Sequence, residues 1–139
     1  MVLKIDLSKA YDRVSWIYLW VILTKMGFEV PFITWVMSSL TIVSFSVLIN
    51  GVASSFFRSG RGLRQGCPLA PLLFLVVAEG LSRALLSTKS TGIFKGISFG
   101  NNISLTHVLF VDDIVMITDG SAQSLSILYE ILMDFTRAT

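Results

Sequence analysis

Apolar and polar positions alternate along the chain in two periods, and the changes of period mark out the elements. Met1 to Leu7 is a strand-like run with Asp6 near its end. Ser15 then stands as an N-cap before apolar residues at helical spacing to about Met26, with Gly27 as the stop. Pro31 suits the first turn of another helix, which ends near Leu40. After it, Val43, Phe45, Val47 and Ile49 alternate with Ser44, Ser46 and Leu48, which predicts a half-buried strand. Asn50-Gly51 is a favoured type I′ pair, because both central residues need positive φ, and it returns the chain in a second strand to about Arg58.

Glycines 60, 62 and 66 make the next segment a loop, and Pro68 and Pro71 open an apolar helix predicted to reach about Leu86. From Ser87 to Asn102 polar residues with Gly92, Gly96 and Gly100 predict a connection holding at most a short strand. Leu105 to Val111 and Ile114 to Thr118 flank Asp112-Asp113 as the two arms of a hairpin. Leu125, Leu128, Ile131, Leu132 and Phe135 keep helical spacing to the end. The order predicts an α+β sandwich, with one antiparallel sheet and helices packed on one face. No repeat, linker or low-complexity tract interrupts it.

A length of 139 residues suits a single domain, residues 1–139. Hydrophobic residues at 53% and charged residues at 14% exclude disorder and are high for a small domain alone in water, so part of the surface is expected to be covered. The longest apolar stretches, Trp16 to Leu23 and Leu69 to Ala78, fall short of the roughly 20 residues a membrane-spanning helix needs, so no membrane partner is expected. A formal charge of +2 permits an acidic partner without pointing to one. One cysteine, Cys67, excludes an internal disulfide, and with one histidine, His107, no His/Cys metal cluster can form. A reducing, intracellular setting follows, and no secretory leader is visible.

Asp112 and Asp113 interrupt an apolar hairpin, where two adjacent charges without partners are costly to bury. An exposed aspartate turn is one reading; for Asp6 the equivalent is a helix cap or strand-end charge. The other is convergence. Neighbouring strands lie about 4.8 Å apart, so a strand ending at Asp6 beside this hairpin brings three carboxylates to one sheet edge. Hard oxygen donors favour Mg²⁺, and two such ions about 3.5–4 Å apart support in-line phosphoryl transfer.

Three stretches in order resemble the reverse transcriptases of non-LTR (LINE-type) retrotransposons. Lys4-Ile5-Asp6-Leu7-Ser8-Lys9-Ala10-Tyr11-Asp12-Arg13-Val14 is similar to the first palm motif. The resemblance implies that Asp6 binds both metals with help from the Leu7 carbonyl, and that Tyr11 excludes a ribose 2′-hydroxyl; taken without the rest of the motif, Tyr11 reads as a core aromatic. Gly62-Leu63-Arg64-Gln65-Gly66-Cys67-Pro68-Leu69-Ala70-Pro71-Leu72-Leu73-Phe74 is similar to the second motif, implying that Arg64, Gln65 and Gly66 border nucleotide and template. Arg58, Arg61 and Arg64 suit phosphate or, alternatively, a solvated hairpin edge. Phe110-Val111-Asp112-Asp113 looks like the third motif, with Val111 where the group usually has alanine. His107 is expected to be structural and Cys67 a packing residue.

The resemblance implies a palm-like fold whose catalytic residues are Asp6, Asp112 and Asp113. It implies two Mg²⁺ ions, with Mn²⁺ as a substitute, and as partners an RNA template, a DNA primer and deoxynucleoside triphosphates. Nuclear localisation would follow for a working retroelement enzyme. The family's fingers are expected before Met1 and its primer grip and thumb after Thr139, so polymerase activity of the isolated chain is expected to be negligible. A non-catalytic remnant that binds nucleic acid or a partner is the alternative from another class. A palm-like nucleotidyl cyclase fits the second motif and the aspartate hairpin poorly.

Overall fold

In a computed structural model, residues 1–92, 94–99 and 103–139 are described; Gly100 and Asn102 of the predicted connection lie outside them. The order is β1 (Val2–Asp6), α1 (Ala10–Arg13), α2 (Trp16–Lys25), α3 (Val30–Thr41), β2 (Ser44–Phe45), β3 (Leu48–Ile49), β4 (Val52–Ala53), β5 (Phe57–Arg58), α4 (Ala70–Ser90), β6 (Ile97–Phe99), β7 (Ile103–Leu105), β8 (His107–Phe110), β9 (Asp113–Ile117) and α5 (Ala122–Ala138).

The central sheet has the order β1-β9-β8, antiparallel throughout. Its period of two separates the faces. Leu3, Ile5, Leu109, Ile114 and Met116 point to the core, while Val2, Lys4, Asp6, Val108 and Phe110 are exposed. The helices cover the first face only, and mixed α+β architecture follows as predicted. Central among them is α4, which touches α2, α5 and β8. Its Leu73, Phe74, Val77, Leu81 and Leu85 meet Leu19 and Leu23 of α2 and Leu128 of α5 in one cluster. Each such side chain stabilises the fold by about 1.5–3 kcal/mol on burial.

Local chemistry explains the helix starts. The Ser15 hydroxyl accepts from the Tyr18 N–H, and the Ser121 hydroxyl from the Ser124 N–H, each relieving an unpaired first-turn donor. Gly80 sits mid-helix in α4, where glycine costs about 1 kcal/mol. It is needed there because a Cβ would lie 2.0 Å from the Tyr18 hydroxyl of α2.

Two expectations are corrected. Helix α4 runs to Ser90 rather than Leu86, and in its last turn the Thr88 and Ser90 hydroxyls donate to the Ala84 and Ser87 carbonyls of their own helix. With 21 residues it is long and apolar enough to cross a membrane by length and composition, yet seven of its side chains are buried in this core. The connection after it holds one short strand, β6, as expected, and β6 pairs with β7 beyond it, where Gly96 lets the strands close: a Cβ would meet the Leu105 carbonyl at 2.1 Å. The predicted half-buried strand from Val43 is a ribbon of short pieces, β2–β5 and β3–β4, and all of these strand residues are exposed. The turn itself is as expected, with φ of 50° at Asn50 and 81° at Gly51. Between the two pairs, Ser46 and Val47 oppose Ser54 to Phe56, a bulge that the Ser54 hydroxyl fills by accepting from the Val47 N–H at 3.0 Å. The single turn α1, entered through Lys9 at φ 55°, has no apolar period and was not predicted.

Candidate active site

Asp6 is the last residue of β1 and lies opposite Asp113, the first residue of β9. Directly opposed residues of an antiparallel pair project to the same face, so two carboxylates from opposite ends of the chain share one sheet edge. The pairing continues one step further, where the Leu7 N–H donates to the Asp112 carbonyl at 3.2 Å. Asp112 itself is exposed in the two-residue turn between Phe110 and Asp113. The other turn residue, Val111, has φ 54°. A β-branched residue is strained there, so the sheet on both sides must hold the turn in place.

Asp113 is not free of partners: its Oδ1 lies 3.0 Å from Lys4 Nζ. Lys4 shares a strand face with Asp6 by the period of two, and the sequence reading missed its role although that spacing signals it. Among the described residues no three His, Cys, Asp or Glu side chains close into a metal cage. The donor chemistry nevertheless fits a hard divalent cation, because Mg²⁺ is commonly held by one or two carboxylates with water and phosphate completing its shell. Asp6 and Asp113 supply two. Leu7 offers a carbonyl with one lone pair taken by the Ala10 N–H at 3.1 Å, leaving the other.

The second constellation is the loop before α4, moored to the segment after β1. The Gly62 N–H donates to the Val14 carbonyl and the Leu63 N–H to the Tyr11 carbonyl, each at 2.8 Å. The Trp16 indole Nε1–H donates to the Gly62 carbonyl at 2.8 Å. Gly62 has φ 89°, and a Cβ there would stand 2.8 Å from the Asp12 carbonyl oxygen, so this approach requires glycine. The Gln65 side-chain amide donates to Asp12 Oδ1 at 3.4 Å, a second contact unforeseen from sequence.

Tyr11 stacks on Phe74 with ring centroids 4.8 Å apart. It also walls a cavity of about 390 Å³ with Gln65 and Gly66. Arg64 and Arg61 are exposed on a larger cavity of about 740 Å³ whose wall also includes Gln65. Arg58 is exposed on β5 and lines neither cavity. His107 is structural, its Nε2 2.9 Å from the Ser82 hydroxyl and its Nδ1 3.0 Å from that of Thr106. Burial lowers its pKa, against the raising influence of Glu79. Cys67 is a partly buried packing residue.

Residues 1–139 match the family described as reverse transcriptase (RNA-dependent DNA polymerase). The chain is 30% identical over 132 residues to the retrovirus-related Pol polyprotein of the type-2 retrotransposable element R2DM of Drosophila melanogaster, covering 95% of this chain and 12% of that one. It is 40% identical over 67 residues to an uncharacterized mitochondrial protein of Arabidopsis thaliana, covering 48% of this chain and 55% of the relative. A type-1 element R2 Pol polyprotein of Popillia japonica is 25% identical over 118 residues, 85% of this chain and 19% of that one. The chain thus spans about half of one relative and a small part of the polyproteins.

Proposed function

Because the chain belongs to the reverse transcriptase (RNA-dependent DNA polymerase) family, we propose that it is the palm of a non-LTR retrotransposon polymerase, extending a primer 3′-hydroxyl with deoxynucleotides on an RNA template in the parent protein. The observation that carries this reading is the register Asp6 opposite Asp113, with Asp112 next in the chain. Asp6, Asp112 and Asp113, with the Leu7 carbonyl, are the residues that would hold two Mg²⁺ ions or Mn²⁺ in their place. Bound there, such ions lower the pKa of an attacking hydroxyl and neutralise charge on the leaving oxygen. Tyr11 borders the sugar, and Arg64, Gln65 and Gly66 border nucleotide and template. Lys4 neutralises Asp113 until a cation competes for the carboxylate.

Mn²⁺ binding followed by electron paramagnetic resonance tests the site. The unsubstituted chain should bind Mn²⁺, and Asp6→Asn and Asp113→Asn should each weaken binding at least tenfold; equal binding by all three proteins would overturn the assignment.

The 139-residue chain by itself should extend primers at a negligible rate, because it spans 12% of the R2DM polyprotein it matches and phosphoryl transfer depends on positioning the primer as well as on metal. A primer-extension assay on an RNA template with Mg²⁺ checks this; robust synthesis abolished by Asp112→Asn would refute it. The Lys4–Asp113 pair favours one second reading, a non-catalytic remnant that binds nucleic acid or a partner. Salt-dependent RNA binding without any effect of metal would support that reading. Nuclear residence belongs to the same proposal, and fluorescence imaging of the tagged chain in a cell tests it.

A further inference from the structure

We propose that the free edge of the 44–49 strand pairs antiparallel with the same edge of a second copy of this chain, across a two-fold axis at Val47, so that two ribbons join into one four-stranded sheet. The pairing goes beyond the polymerase reading and does not rest on it.

The edge is open, and its backbone groups can be assigned. Val47 donates its N–H to the Ser54 hydroxyl at 3.0 Å, and its carbonyl accepts from the Ser54 N–H at 2.8 Å, both across the ribbon. Successive residues of a strand aim their backbone groups at opposite edges, so those of Ser46 and Leu48 point away from the ribbon. Among the described residues no strand pairs with that edge, since β2 joins only β5 and β3 only β4. A row of unpaired donors and acceptors is a template for another strand.

The devices that blunt such an edge are missing here and present on the opposite strand. Residues 44–49 carry no charge and no proline, and Phe45, Val47 and Ile49 are strong strand formers. The 52–58 strand bears both the bulge at Ser54 to Phe56 and the charge of Arg58. One open edge beside one blunted edge gives a closed pair, and growth stops at two copies.

Self-complementarity selects a second copy as the occupant. An axis at Val47 sets Val47 against Val47, Phe45 against Ile49, and Ser46 against Leu48, whose outward backbone groups then meet. Phe45, Val47 and Ile49 share one face by the period of two, so the apolar side chains of both copies join into one stripe. A two-fold axis also brings each residue near it against its own kind, where any charge would be repelled. From Val30 to Phe57 the sequence has none. A single strand edge covers less than the roughly 1,200 Å² below which interfaces are weak, so the pair dissociates on dilution and leaves the ribbon of the monomer bare.

Sedimentation velocity of the full 139-residue chain from about 1 to about 200 µM tests the pairing, and should show monomer passing to dimer with nothing larger. Val47→Lys places lysine against lysine on the axis and should weaken association at least about tenfold, as should Val47→Asp, while an equimolar mixture of the two variants should associate again. Hydrogen exchange of the unsubstituted chain needs no variant: the Ser46 and Leu48 amides should slow as concentration rises, and the Val47 amide, already bonded to Ser54, should not. A monomer at every concentration, undiminished association of Val47→Lys, a mixture of variants that stays monomeric, or species larger than a dimer would each overturn the proposal.

Discussion

The β1-β9-β8 sheet and the ribbon from Ser44 to Arg58 are both antiparallel and both rich in apolar residues, yet the sheet has a buried face and the ribbon has none. The difference lies in what stands behind each. Ile114 and Met116 meet a layer of helices at 2% and 0% exposure, whereas Leu48 and Ile49 meet solvent at 73% and 63%. A period of two describes the pleat and not its surroundings. The sheet can therefore hold a strained turn and two opposed carboxylates in place, while the ribbon is suited to an adaptable contact surface.

The largest effect that can break this contrast comes from matched truncations. Met116→Ala should cost about 2–5 kcal/mol of unfolding free energy in urea titrations, by cavity formation. Ile49→Ala on the ribbon should stay within about 0.5 kcal/mol. Equal losses would show that the ribbon has a partner surface after all. Gly62→Ala comes next: positive φ and the 2.8 Å approach to Asp12 should cost about 1–3 kcal/mol and should detach the loop that carries Arg64, Gln65 and Gly66. A lowered melting temperature together with faster hydrogen exchange at Leu63 would register both.

Val111→Gly should have the opposite sign, stabilising the sheet by about 1 kcal/mol through relief of its positive φ. A neutral or destabilising result would place the turn's constraint elsewhere than in that backbone angle.

Acid sharpens the comparison on the buried side. Burial holds the His107 pKa below 6.5, so the unfolded chain takes up a proton at this group before the folded chain does. Its contribution is complete above the unfolded value and is lost as pH falls from about 6.5 through the lower folded value. Denaturation series should show stability declining in that window and His107→Asn flattening the decline. Asp119 acts lower on the scale: hydrogen bonds led by the Ser121 backbone N–H bring its pKa to about 2, so its contribution is lost only as pH falls from about 4 to about 2. The smallest expected effect on stability is Lys4→Met, under about 1 kcal/mol because the pair with Asp113 is solvent-exposed. The same variant should raise Mn²⁺ affinity by freeing Asp113, and unchanged affinity would remove Lys4 from the site.

Much of this molecule was legible before any coordinates. Ser15, Pro31 and the Asn50-Gly51 pair announced their elements because caps and turns are made by neighbouring residues. The three motifs named the family for the same reason, being short strings of local sequence. The roles of Lys4 and Asp12 were not legible as such, since one acts through a neighbouring strand and the other through a residue 53 positions away.

By itself, then, the sequence determined the periods, the turns, the helix ends near Met26 and the identity of the acidic and glycine-rich motifs. Only the tertiary structure decided that Asp6 faces Asp113, that Gly80 makes room for Tyr18, and that the alternating ribbon stays bare. The physical reason is range: propensity and periodicity act over a few residues, whereas register and burial depend on which distant segments close on one another and on what surface is left when they have.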